Sequence, residues 1–170
     1  MKTGKPRRGD PQYAGGIPIA PIAAVREVKD NEPIVAGEVT ITAHFTPGHT
    51  PGGTSWTWQA CEGSVCRTIV YADSLTPVSS GKFKFTHDYP HALQDFEKSF
   101  AFLQTTPCDI LVTTHPENSS LWDRLEARER GATPDPMLNP GACRELAQHG
   151  RDSVRRRLAE ETSSVHRNSE

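Results

Sequence analysis

The hydrophobic positions change period along the chain. Residues 1–20 are polar and rich in Pro and Gly, and read as a loop-rich start. Ile22–Val28 and Ile34–Phe45 then alternate apolar and polar residues, the signature of half-buried strands. Thr54-Ser-Trp-Thr-Trp58 and Arg67-Thr-Ile-Val-Tyr71 read as two strands of a hairpin, with Cys61-Glu-Gly-Ser-Val-Cys66 as the loop between them. Residues 76–88, with Pro77, two serines and Gly81, read as a long loop, a kind that often carries function. From His91 the period becomes helical: Leu93, Phe96, Phe100 and Leu103 fall on one face, and Pro107 stops the helix. Asp109-Ile-Leu-Val-Thr113 is a short buried strand, and further helices are expected over about 119–130 and 140–162. Strands, helix, strand and helix in this order predict an α/β layer arrangement over 21–162, with a disordered tail at 163–170.

Composition narrows the partners. The 170 residues carry a net charge of −2, which gives no electrostatic reason to expect nucleic acid or an acidic membrane surface. With 35% hydrophobic residues and 13 glycines the apolar share is slightly under that of a self-sufficient domain, so the core is thin. No run approaches the ~20 apolar residues of a membrane helix. The first eight residues are basic like the start of a signal peptide, but Gly9-Asp-Pro-Gln12 stands where the apolar region belongs, so no secretion signal is read in this chain. The arginines of 151–157 read as a solvated helix face.

The chemistry gathers at strand ends. Thr46-Pro-Gly-His-Thr-Pro-Gly-Gly53 holds His49 in a stiff, glycine-walled turn directly after a strand. Asp73 and Ser74 follow the hairpin, and His115 follows the strand at 109–113. Neutral imidazole is the commonest metal ligand, and two histidines from distant loops at one sheet edge suit zinc. The other five histidines have no comparable setting and read as surface or supporting residues. The four cysteines, Cys61, Cys66, Cys108 and Cys143, allow three disulfide connectivities, and a Cys-only zinc site lacks its second close pair.

Thr42-Ala-His-Phe-Thr-Pro-Gly-His-Thr-Pro-Gly-Gly-Thr-Ser-Trp-Thr-Trp58, Tyr71-Ala-Asp-Ser-Leu75, Tyr89-Pro-His91 and Pro107-Cys-Asp-Ile-Leu-Val-Thr-Thr-His-Pro116 together resemble the C-terminal half of a metallo-β-lactamase of the third subclass. The resemblance implies the second half of an αββα sandwich, a mixed sheet flanked by helices. It implies His49 as a ligand of a first zinc ion and His115 as a ligand of a second, with no catalytic residue beyond the ligands. It also implies hydroxyls of Ser74 and Thr76 that hold the substrate carboxylate, Asp73 as a supporting residue, and disulfides Cys61–Cys66 and Cys108–Cys143. The implied reaction is hydrolysis of the β-lactam amide of penicillins, cephalosporins and carbapenems by a zinc-bound hydroxide, conferring antibiotic resistance from the periplasm or outside the cell.

The family's His-x-His-x-Asp-His motif, which supplies four of the six ligands, does not occur in these 170 residues. The chain alone is therefore expected to hold fewer than two zinc ions, to lack activity, and to need an N-terminal half as partner. A non-catalytic truncated product, or another hydrolase of the superfamily such as a lactonase or thioesterase, is the alternative. Ser74 and the paired cysteines weigh against those relatives.

Overall fold

The computed structural model describes residues 3–4, 9–15 and 19–167. The strands are β1 (Pro33–Ala36), β2 (Val39–Phe45), β3 (Thr54–Glu62), β4 (Val65–Ala72) and β5 (Ile110–Thr113). The helices are α1 (Phe85–Asp88), α2 (Ala92–Thr105), α3 (Leu121–Glu129) and α4 (Ala142–Arg167), with a 3-10 turn at Pro116–Ser119. One sheet runs in the order β1-β2-β3-β4-β5. The first three pairings are antiparallel and β4–β5 is parallel, with α2 in the crossover between them. The expected α/β architecture of a mixed sheet flanked by helices is therefore present.

The differences from the sequence reading have physical causes. Ile22–Val28 forms no strand: its alternating pattern finds no ladder partner, and Ile22 is exposed. Ile34–Phe45 is two strands, because Gly37 takes φ 64° and turns the chain. The loop between the hairpin strands shrinks to two residues, because Cys61 and Cys66 are themselves a cross-strand pair. The long loop ends in α1, and residues 163–167 of the expected tail belong to α4, whereas 168–170 lie outside the described residues. Residues 1–2, 5–8 and 16–18 of the loop-rich start also lie outside them. On α2, Leu93 is exposed and Ala92 is buried in its place.

The core lies on one sheet face. Val70, Ala72 and Leu111 point to it from β4 and β5, and Phe96, Phe100 and Leu103 of α2 with Ala147 and Val154 of α4 close it. Each fully buried large side chain contributes about 1.5–3 kcal/mol, so the three phenylalanines Phe85, Phe96 and Phe100 dominate this thin core. The register puts Ile34, Ile41, Trp56, Trp58, Ile69, Tyr71, Ile110 and Val112 on the opposite face. All eight are half-buried and none belongs to the core cluster, so the sheet has a second apolar face.

The arginine segment is not simply a solvated face. Arg151 pairs with Glu97 at 3.0 Å and lies 5.2 Å over the Phe100 ring. Arg157 donates to Glu161 at 2.7 Å, to Ser79 Oγ at 2.9 Å and to the Phe83 carbonyl at 3.1 Å. Only Arg155 and Arg156 of this run stand exposed. The planar Arg157 guanidinium serves these three partners and lies 5.8 Å over the Phe85 ring, which is why arginine rather than lysine suits the joint between α4 and the 76–88 segment.

Candidate functional site

Topology brings three loops to one edge. β2 runs toward that edge, β3 leads away, and β4 returns in the direction of β2; β5, parallel to β4, ends there too. The turn bearing His49, the residues Asp73–Thr76 and the segment from Thr114 onward therefore all follow strand C-termini.

The turn at 46–53 is closed at its base by Thr46 N–H donating to the Gly53 carbonyl at 2.9 Å. A Cβ on Gly53 would lie 2.3 Å from the Thr46 oxygen, so no other residue fits. Gly48 adopts φ 138°, and a Cβ there would lie 2.5 Å from Phe96 Cδ1. Ser99 of α2 donates its hydroxyl to the Pro47 carbonyl at 2.6 Å. The turn is thus seated on α2 at two points.

His49 is half-buried, and its Nδ1 lies 2.7 Å from the Thr76 carbonyl oxygen. A carbonyl only accepts, so Nδ1 carries the proton and Nε2 carries the free lone pair. A backbone carbonyl on the far nitrogen is the usual way in which a ligating imidazole is oriented. Both oxygens of Asp73 are engaged: Oδ1 accepts the Ser74 N–H at 2.8 Å and Oδ2 the Thr54 N–H at 3.0 Å. Asp73 therefore ties the loop after β4 to the start of β3. Ser74, 5% exposed, places its Oγ 3.0 Å from Thr76 Oγ1. That mutual bond uses one hydroxyl proton and leaves one to donate outward.

His115 is exposed at the head of the 3-10 turn. Its carbonyl accepts the Thr113 hydroxyl at 2.7 Å and the Asn118 N–H at 2.9 Å, which fixes the backbone that presents the ring. Among the described residues no group of three or more His, Cys, Asp or Glu side chains is assembled to hold a metal ion. His49 fits the role of one ligand in a larger set, with its Nε2 free.

The two disulfides, Cys61–Cys66 and Cys108–Cys143, are both formed, and no cysteine is left free among the described residues. The second joins the entry of β5 to α4. The sequence reading gave no such part to Ser99 and Phe96, which seat the His49 turn on α2, or to Arg157 and Glu161, which hold the 79–86 segment to α4. Their contacts span more than 45 residues of sequence or act through backbone, so no local motif announces them.

Mixed sheet, helical layer and strand-end loops are shared with solved metallo-β-lactamases. Rm3 metallo-beta-lactamase superposes with a TM-score of 0.90 at 44% identity, over 95% of this chain and 60% of that one. MEM-A1, a subclass B3 metallo-beta-lactamase from a soil metagenome library, gives 0.89 at 37% identity, over 96% and 62%. SMB-1 in complex with mercaptoacetic acid gives 0.87 at 38% identity, over 94% and 61%. No protein-family model matches the sequence. Over nearly its whole length the chain is similar in sequence and fold to metallo-β-lactamases, subclass B3 among them. It spans about 60% of the length of the structures it matches.

Proposed function

We propose that this chain is the C-terminal half of a zinc β-lactamase, with His49 and His115 as one ligand to each of two zinc ions. The observation that carries the reading is the His49 Nδ1 to Thr76 carbonyl bond beside the Ser74–Thr76 hydroxyl pair. It aims a lone pair and a hydroxyl donor from adjoining loops. Zinc supplies Lewis acidity that activates water and polarises the lactam carbonyl. The remaining steps belong to the chain. Ser74 and Thr76 offer the outward O–H to the substrate carboxylate, Asp73 holds their loop, and α2 holds the turn. Penicillins, cephalosporins and carbapenems, which all bear that carboxylate, are the substrate class.

The isolated chain is inactive in this reading, because its two histidines fall short of the roughly three protein ligands per catalytic metal. The half-buried face with Trp56 and Trp58 receives the missing segment. The two disulfides fit an oxidising compartment, the periplasm or the exterior. The test is reconstitution: the purified chain is mixed with the N-terminal part of Rm3 metallo-beta-lactamase and zinc, and hydrolysis of a carbapenem and a penicillin is followed. Zinc-dependent turnover by the mixture but not by either piece is expected. A folded, zinc-loaded mixture without turnover, or full turnover by the chain alone, would overturn the reading.

A further inference from the structure

Between the strand-end loops and α4 lies a cavity of about 220 Å3. Ser74 and Thr76 form part of its wall, and Leu75 and Leu146 give it an apolar floor. The helix comes this close because Gly150 has no side chain: a Cβ there would lie 2.5 Å from Phe100 Cε1 and 3.5 Å from the Leu75 carbonyl oxygen. Thr114 lines the same cavity, and its Oγ1 is the buried side-chain polar atom left without a partner among the described residues. Asn118, His149 and Ser153 add an amide, an imidazole and a hydroxyl to the wall. No lysine or arginine lines it, and its one carboxylate, Asp73, has both oxygens committed to backbone N–H groups. An apolar cavity of about 150 Å3 is known to hold benzene, so this one has room for a five- or six-membered ring.

We propose that this cavity receives the uncharged substituent that a β-lactam bears beside its ring carboxylate, with Asn118, His149 and Ser153 as specificity-determining residues. The proposal rests on the β-lactamase reading above. With the carboxylate on the Ser74–Thr76 pair, the neighbouring ring carbon and its substituent face the wall which those two residues share with the cavity. A flat, hydrogen-bonding heteroaryl group fills the apolar floor and reaches the Asn118, His149 and Ser153 groups of the wall, whereas a hydrogen at that position leaves them unused.

The test uses two cephalosporins that differ only beside the carboxylate, one with hydrogen and one with an uncharged heteroaryl-thiomethyl group. Each is titrated into the 15N-labelled, zinc-free 170-residue chain, so that binding is read without hydrolysis. The heteroaryl compound alone is expected to shift the Asn118 side-chain amide and the Gly150 and Ser153 backbone amides. Ser153→Phe, which fills the cavity, should abolish these shifts. Asn118→Ala, at an exposed position, should weaken binding about tenfold and guards against a misfolded Ser153→Phe. Equal shifts for both compounds, no shifts for either, or shifts that survive a folded Ser153→Phe overturn the proposal. In the reconstituted enzyme the KM ratio of the pair should change with Ser153→Phe while kcat holds. Turnover with an unchanged ratio overturns the subsite and leaves the β-lactamase reading standing. Absence of turnover overturns that reading, and the amide shifts then decide the subsite.

Discussion

The ring of His49 donates through Nδ1 to the carbonyl oxygen of Thr76, 2.7 Å away, and so joins the turn after β2 to the loop after β4. Because the acceptor is backbone, no side-chain substitution at position 76 removes it directly.

The bond fixes the tautomer. Long-range 15N correlation on the isolated chain should show His49 protonated at Nδ1, and added zinc should move Nε2 while Nδ1 keeps its proton. A ring protonated at Nε2 before zinc would contradict the arrangement.

Gly48 should tolerate no side chain. At φ 138° a Cβ is strained, and the ring of Phe96 stands 2.5 Å from where it would sit. Gly48→Ala is expected to destabilise the fold by about 2–4 kcal/mol, read as a lower midpoint in urea denaturation. A change within experimental error would mean that α2 does not seat the turn.

The two disulfides should differ in worth. Cys108–Cys143 closes a separation of 35 residues and Cys61–Cys66 one of 5. Loop-closure arithmetic gives about 3–4 kcal/mol for the long link and about 2 kcal/mol for the short one. Cys108→Ser with Cys143→Ser should therefore lower the midpoint more than Cys61→Ser with Cys66→Ser; the reverse order would refute the entropic account.

Glu161 should make the fold sensitive to acid. Burial alone would raise its carboxyl, but hydrogen bonds from Thr86, Arg157 and Phe85 outweigh burial and hold it below the ordinary 4.5. Its stabilisation is complete above that value and is lost as pH falls through the lower folded value. Glu161→Gln should cost about 2 kcal/mol at pH 7 and less at an acid pH below 4.5, by denaturation at both. An equal cost at both pH values would show that the charge contributes nothing.

The apolar face should drive association of the chain on its own. Exposed patches of this extent mark interaction surfaces or aggregation sites. Light scattering should show species larger than a monomer, and Trp58→Arg should raise the monomer fraction. A wild-type chain that stays monomeric at high concentration would argue that this face needs no cover.

Much of the frame was legible because local rules set it. Phe96, Phe100 and Leu103 announced α2 by spacing, and Pro47, Gly48 and Gly53 announced the turn by backbone geometry. Where local rules are silent the reading slipped. Ile22–Val28 has the alternation of a strand, but alternation cannot supply a neighbour to bond with. Ile34–Phe45 read as continuous, since a single glycine at 37 is a weak stop. The arginines looked solvated, since nothing near Arg157 in sequence reports that Ser79 and Phe83 lie against it. The supports of the site are tertiary contacts, and these leave no periodicity.

The hairpin tip, where Cys61 faces Cys66 across two turn residues, stands at the end of the sheet remote from His49, Ser74 and His115. The protein thus has a handle as well as a working edge. An affinity peptide or fluorophore inserted between Gly63 and Ser64 would tether the molecule to a chip with its histidines facing outward.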